Sequence, residues 1–431
     1  MSLLRTVLWG PHVLLLILAA GVWFTLRGRF MQIWKLPRMA ADALRGQETG
    51  GERISAFQAL SASLAGSLGT GNIIGVAAAL TAGGPGAIVW MWISAFFGMM
   101  TVYAEGVLAA KFSSADMPGA VGYIRRALGK HAAKIYAAGC VLSALGMGTM
   151  AQTGAVSAAL GGVGIPPWAA GLLTAGLLVL CVRGGLKKAV HVTEKLVPFM
   201  AGLFLLACAA VLVLRRAQIP AAFSLMLREA FTWRAGVGGA FGMVTAMRVG
   251  VSRGVFTNEA GLGSGTFALA RAADKTPEQI GTLGALQVFI DTILMCTITA
   301  LCLLVSPAAG DGAEQTLRSF SAVLGSAGHV AVSVSMALFA FATVVAWSCY
   351  GMDALRCLVP SAGAAGRRIY VFFAAVSCFL GCILPFTGVL SFCDAFNGVM
   401  AIPNILALFL LSGCVFGERR TMRRAPARQR K

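Results

Sequence analysis

The chain has 431 residues, 58% of them hydrophobic and only 12% charged, with a mean hydropathy of +0.80. A soluble globular domain carries about 25% charged residues, so this composition excludes that class and reads as a polytopic membrane protein. The net charge of +19 does not signal a nucleic-acid partner, because the cations lie between apolar runs and at the C-terminus, outside any basic fold.

A helix crossing the hydrocarbon core needs about 20 mostly apolar residues. Eleven segments qualify: 8–26, 55–82, 86–110, 135–160, 166–182, 192–214, 237–272, 280–306, 318–351, 370–385 and 388–416. The first begins like a secretory leader, with Arg5 ahead of HVLLLILAAGVWF. No small-x-small site follows it and the chain enters a basic loop, so it is kept as a span. The eleven cysteines form no CxxC pair, and Cys181, Cys208, Cys296 and Cys302 fall inside apolar runs. They read as small core residues rather than a disulfide framework.

Orientation follows from Lys and Arg in the connecting segments. With eleven spans and a cytoplasmic C-terminus, the cytoplasmic segments carry 27 of these residues and the outer segments 6, which places the N-terminus outside. The transmembrane domain covers 1–418, and the polybasic stretch 419–431 is a cytoplasmic tail attracted to anionic lipid or a simple topology anchor.

Two spans are interrupted. GSLGTGNIIG (66–75) lies in the second and GVFTNEAGLGSGTF (254–267) in the seventh. The second lies five spans after the first, an odd offset, so the two interrupted segments run in opposite directions. That arrangement predicts an inverted repeat of five plus five helices, about 53–214 and 235–416, after an extra first helix, with a binding site at the two breaks. Unwinding at membrane depth exposes N–H and C=O groups that cost several kcal/mol each unless satisfied. The half-helix starting near Gly71 and Asn72 points its N–H groups at the break and suits a carboxylate. The half ending near Leu68 and Gly69 offers carbonyls to a cation. Glycine is expected there for unusual dihedrals and close approach; helix packing through small residues is the alternative.

Ionisable residues within spans need a reason. Glu259 sits in the second break and is expected to pair with Arg253 or to join the site. Asp394, with Asn397 and Asn404 in the last span, lines a gate or forms a structural network. Glu105, Arg248, Asp291 and Asp353 are placed toward span ends. Gln152 can exchange hydrogen bonds with a small ligand or with another helix. Trp347 walls a pocket or fills the core, and Thr343 joins a cation site or back-bonds to its own helix. An ion channel is disfavoured because no repeated filter or ring of charges is present. Enzyme chemistry is disfavoured because the four histidines lie at span ends or loops.

GGPGAIVWMWISAFFG (83–98), GTGNIIGVA, GVSRGVFTNEAGLGSG, WSCYG and FCDAFNGVMAIPN resemble, in order and across essentially the whole chain, blocks of the alanine/glycine:cation (sodium:alanine) symporter family. The resemblance implies an all-α LeuT-like fold with broken helices at spans 2 and 7, and uptake of alanine or glycine coupled to sodium across a bacterial inner membrane, without any other cofactor. It puts substrate at Gly69, Thr70, Gly71, Asn72, Gln152, Phe256, Asn258 and Trp347, and sodium near Leu68, Gly69 and Thr343. Two departures bear on the choice between sodium and proton. Ala342 precedes Thr343 where many members have a hydroxyl pair, and Met352–Asp353 replaces a glutamate block. A carrier of the same fold for a larger amino acid or a nucleobase is the rival reading.

Overall fold

The computed structural model describes residues 8–44, 54–162, 164–183, 185–232, 242–272, 275–310, 312–384 and 386–417. The tail at 419–431 lies outside them. Among the described residues every regular element of length is a helix. They are α1 (Pro11–Arg27), α2 (Met31–Leu44), α3 (Ala56–Ser67), a single tight turn Thr70–Asn72, α4 (Ile74–Gly83), α5 (Gly86–Phe112), α6 (Ala120–Leu128) and α7 (Lys130–Gly161). There follow α8 (Pro167–Arg183), α9 (Gly185–Leu214), α10 (Ile219–Ala230), α11 (Gly242–Asn258), α12 (Thr266–Leu269), α13 (Pro277–Val305), α14 (Gly312–Leu358), α15 (Gly363–Ile383), α16 (Phe386–Leu410) and α17 (Ser412–Val415). Seven of these are long and apolar enough to cross a membrane, and α1, α4 and α8 are shorter apolar helices.

Local chemistry accounts for where several begin. Ser55 and Gln58 form a reciprocal capping box at α3, with the Gln58 amide donating to Ser55 Oγ at 3.1 Å and the Ser55 amide donating to Gln58 Oε1 at 2.9 Å. Thr276 and Gln279 do the same at α13. Each box satisfies N-terminal amides that the helix cannot pair itself. Within α7 the turn Gly146–Met150 and within α13 the turn Phe289–Cys296 widen to π geometry, a local change that often accompanies a functional site.

Helices α5, α7, α13 and α14 occupy the middle: α5 packs on α13 and α11, and α7 on α14 and α16. The outer helices α8, α9 and α15 expose Leu172, Leu180, Phe199, Leu206, Phe372 and Phe373. Such an apolar exterior is stable only against lipid. All eleven cysteines are free.

The structure departs from the sequence reading at three places. The loops after the first, third and sixth spans hold the short helices α2, α6 and α10, whose lengths fall below a membrane crossing. The ninth span, expected at 318–351, is the part of α14 beyond a bend at Gly325, where φ is +63°. In the seventh, interrupted within 254–267 where the break was expected, only the four-residue α12 continues past it, not a half-helix to 272.

Close packing of α5 on α13 depends on glycine. A Cβ at Gly106 would lie 2.9 Å from the Gly281 Cα and 3.0 Å from the Ile280 carbonyl oxygen, both backbone atoms. Gly106→Val is expected to destabilise the detergent-solubilised protein by about 1–3 kcal/mol through overpacking. Gly176→Ala, where a Cβ would meet no atom within 4 Å, is expected to change stability by less than about 0.5 kcal/mol. Thermal unfolding of both variants checks the contrast.

Candidate functional site

The first break lies between α3 and α4. Leu68 is buried and caps α3, its amide donating to the Leu64 carbonyl, and Gly69 is extended with φ −106°. Its backbone does not need a left-handed conformation, so the constraint at Gly69 is space. A Cβ there would stand 2.8 Å from Thr343 Oγ1 and 3.0 Å from Gln152 Oε1. The expectation of unusual dihedrals is therefore corrected for this break, and close approach remains.

Side chains from other helices reach two of the freed backbone groups, the Thr70 amide and the Ala65 carbonyl. The Thr70 amide and Thr70 Oγ1 donate to Gln152 Oε1 at 3.1 and 3.0 Å. Gln152 Nε2 in turn donates to the Met147 carbonyl at 3.3 Å, one of the carbonyls in the π turn of α7. Thr343 Oγ1 lies 2.9 Å from the Ala65 carbonyl oxygen and 3.1 Å from that of Phe339 on its own helix. Asn72 Nδ2 donates to the Asp291 carbonyl at 2.8 Å and to Asp291 Oδ1 at 3.0 Å, in the π turn of α13. Thr292 Oγ1 donates to the other carboxylate oxygen at 2.8 Å.

The second break follows Asn258, and here the backbone does turn left-handed: φ is +58° at Glu259, +88° at Gly261 and +70° at Gly263. A non-glycine residue held with positive φ costs of order 1–3 kcal/mol, so surrounding contacts must hold it. Glu259 accepts from Trp347 Nε1 at 2.9 Å and from Ser264 Oγ at 2.5 Å. Glu105 Oε1 accepts from the Gly261 amide at 3.0 Å and from Asn404 Nδ2 at 2.7 Å. Asn404 Nδ2 also lies 2.9 Å from the Gly261 carbonyl oxygen, and Tyr123 donates its hydroxyl proton to Asn404 Oδ1. Tyr136 reaches the Leu262 carbonyl at 2.8 Å. Asn258 Oδ1 accepts from the Ala260 amide at 3.1 Å.

The breaks face each other. A Cβ at Gly71 would lie 3.3 Å from Thr257 Oγ1 at the end of α11. Buried near this meeting, Asn258 Nδ2 and Asn72 Oδ1 have no hydrogen-bond partner among the described residues. A leftover donor and a leftover acceptor are groups a polar ligand can use.

Trp347 is fully buried, 5.7 Å from Tyr350 between ring centroids, and the Gly148 backbone of the π turn lies against it. Tyr350 stacks on Phe267 at 5.9 Å and donates to the Ala62 carbonyl at 3.0 Å. Below this aromatic layer Arg271 and Asp353 pair at 2.8 Å, with Arg356 3.7 Å from the same carboxylate. On the opposite side a cavity of about 460 Å³ is lined by Trp9, Arg248, Ser252, Arg253, Phe256 and Asp394, among others.

Several expected placements are thus corrected. Arg253 lines this cavity, whereas the Glu259 carboxylate is held by Trp347 and Ser264. Phe256 also lines that cavity, two residues ahead of the break. Asp394 and Asn397 part company: Asp394 borders the cavity, and Asn397 Nδ2 turns to Met147 Sδ at 3.0 Å. Glu105 and Asp291, expected toward span ends, are fully enclosed at the breaks. The sequence signal for both was present, a carboxylate inside an apolar run. For the Ala65 carbonyl no side-chain signal existed.

The model of the family described as sodium:alanine symporters matches residues 1–431. The sodium/alanine symporter AgcS of Methanococcus maripaludis is 39% identical over 97% of this chain and 96% of its own. The probable sodium/glutamine symporter GlnT of Bacillus subtilis is 33% identical over 95% of this chain and 87% of its own. Among solved structures, a sodium-coupled sialic acid symporter superposes with a TM-score of 0.59 at 15% identity, covering 88% of this chain and 82% of that one. A manganese transporter of Eremococcus coleocola gives 0.55 at 14%, covering 81% and 76%, so the likeness to both lies in the fold. With its full length matched and more than a third of its residues shared with AgcS, the chain belongs to the sodium:alanine symporter family.

Proposed function

We propose that this protein couples sodium entry to the uptake of a small neutral amino acid, alanine or glycine, through a site made by the two facing breaks. The observation that carries the reading is the contact of Gly71 with Thr257, with unpartnered polar atoms of Asn72 and Asn258 buried beside it. The substrate carboxylate takes the N-terminal end of the α4 half-helix, where unpaired amides and the helix dipole favour an anion. Thr70, Gln152 and Asn258 supply further hydrogen bonds, and Trp347 restricts the side chain to small groups. Because Gln152 now bonds Thr70, substrate entry exchanges that bond for one to the ligand.

Sodium belongs between Thr343 Oγ1 and the backbone of Ala65, Leu68 and Gly69. A hydroxyl and carbonyl oxygens are donors suited to a hard cation, and unwound segments supply such carbonyls in this class of carrier. Asp291, held by Asn72 beside the same break, is a buried carboxyl that can ionise opposite a bound cation. It also makes a proton the second reading for the coupling ion.

The architecture we assign is eleven spans in two inverted five-helix repeats, residues 53–214 and 235–416. A two-fold relation pairs each span with the one five places later. The third packs on the eighth (α5 on α13), the fourth on the ninth (α7 on α14) and the fifth on the tenth (α8 on α15). The contact of α9 with α14 has its counterpart in α16 with α7. In this reading the protein sits in a bacterial inner membrane with its N-terminus outside. Arg271, Asp353 and the aromatic layer above them close the cytoplasmic side, and the cavity by Arg253 and Asp394 is the outer approach.

The 33% identity to a relative named as a probable sodium/glutamine symporter favours one rival, the same mechanism with a larger cargo. In proteoliposomes an inward sodium gradient is expected to drive accumulation of labelled alanine, with glycine competing and glutamine and leucine failing to compete. Flux that neither accumulates nor responds to sodium contradicts the coupling, and strong competition by glutamine moves the assignment to the rival.

Thr343→Ala is expected to raise the sodium concentration for half-maximal uptake about tenfold, the effect of losing roughly 1.4 kcal/mol of ion binding, while Thr343→Ser stays near wild type. Equal sodium dependence in all three proteins removes Thr343 from the ion site. Asn258→Ala is expected to weaken alanine uptake about tenfold or more through loss of a buried hydrogen bond, with normal insertion and the sodium dependence of the residual uptake retained. Wild-type uptake by this variant makes the second break a packing feature.

A further inference from the structure

At the end of the bundle that holds Arg271 and Asp353, a cavity of about 260 Å³ opens between α6, the first turn of α7 and the last turn of α14. Arg125 from α6 and Lys130 and Lys134 from α7 line it, and no carboxylate does. None of these three side chains makes an ion pair or a hydrogen bond among the described residues, and all three are exposed. The remaining walls are Met117, Val121, Ala133, Leu358 and Pro360, with the thiol-bearing Cys357. Beside them Ile135 and Val359 point outward, 56% and 45% exposed. An anchor that only set topology would need positive charge near the span ends. It would not need three unpaired cations around one cavity with an apolar, outward-facing border.

We propose that this cavity binds the headgroup of an anionic phospholipid. The phosphate sits among Arg125, Lys130 and Lys134, and the acyl chains run along Ile135 and Val359. Basic pockets between transmembrane helices commonly take anionic headgroups, and a guanidinium matches two phosphate oxygens at once. The apolar border selects a lipid over a free anion. Occupancy ties α7 to α14, the two helices that bring Gln152, Thr343 and Trp347 to the breaks. Bound lipid therefore stabilises the frame of the site. The lipid assignment stands apart from the transport reading, because binding can be measured without flux.

The test uses the full-length protein in a neutral detergent and follows thermal unfolding while dioleoylphosphatidylglycerol, dioleoylphosphatidylcholine or inorganic phosphate is added. Phosphatidylglycerol is expected to raise the unfolding midpoint in a saturable way, and the other two are expected to leave it unchanged. The triple variant Arg125→Gln, Lys130→Gln, Lys134→Gln should lose at least about tenfold in apparent affinity for phosphatidylglycerol, since each cation near an anionic headgroup contributes severalfold. A control triple at the same end, Arg183→Gln, Lys195→Gln, Arg368→Gln, should bind as wild type does. If the first triple variant does not purify, the three single variants replace it, each expected to weaken binding severalfold. Three results overturn the proposal: an equal shift with inorganic phosphate, no shift with phosphatidylglycerol in the wild type, or undiminished binding in the Arg125, Lys130 and Lys134 variants.

Discussion

A carboxylate enclosed by protein, Glu105, accepts the amide of Gly261 and the side chain of Asn404, and the rest of the site depends on that kind of contact. Backbone that leaves the helix at membrane depth has no water to pair with, so each freed N–H and C=O must find a protein partner or a ligand. At the second break the partners come from α5, α7, α14, α16 and α6, through Glu105, Tyr136, Trp347, Asn404 and Tyr123. The left-handed turn at Glu259 persists because so many elements fix it. In return, the break fixes the positions of those elements relative to one another.

The first break is held more lightly, and by groups that a ligand can compete with. Gln152 carries both bonds to Thr70, and the Thr343 hydroxyl shares one carbonyl of α3 with one of its own helix. These are neutral hydrogen bonds, each worth about 0.5–1.5 kcal/mol net, which a substrate or a cation can replace. The contrast between a rigid second break and an exchangeable first one gives the site a physical basis for coupling. Gly69 lies against both Gln152 and Thr343, so under the proposed function a cation at Thr343 and a substrate at Thr70 would act on the same few residues of backbone. On that proposal, binding of one changes the free energy of binding the other, and by the same amount in both directions.

Much of this was legible in the sequence, because hydropathy and interruption are both properties of short windows. Glycine and asparagine inside apolar runs marked the two breaks, and a lone glutamine marked the residue that bonds Thr70. What escaped was decided by three-dimensional arrangement. Arg253 lies six residues before Glu259 in the chain, close enough to suggest a pair, but the left-handed turn at Glu259 sends its carboxylate to Trp347. Asp291 looked like a residue near a span end, because neither the π turn of α13 nor its contact with Asn72 leaves a trace in periodicity. The bend at Gly325 was hidden among 53 glycines, most of which serve packing or turns. Amphipathic α6 leaves no mark in the span pattern, since its nine residues are too few for a hydropathy window to isolate.

The central claim is that cation and amino acid share the first break. Calorimetric titration of the purified protein with alanine, in sodium and in an equal concentration of choline, measures this without transport or membrane potential. The account predicts alanine binding at least about tenfold tighter in sodium, a coupling of roughly 1.4 kcal/mol or more. Equal affinity in the two salts would contradict it.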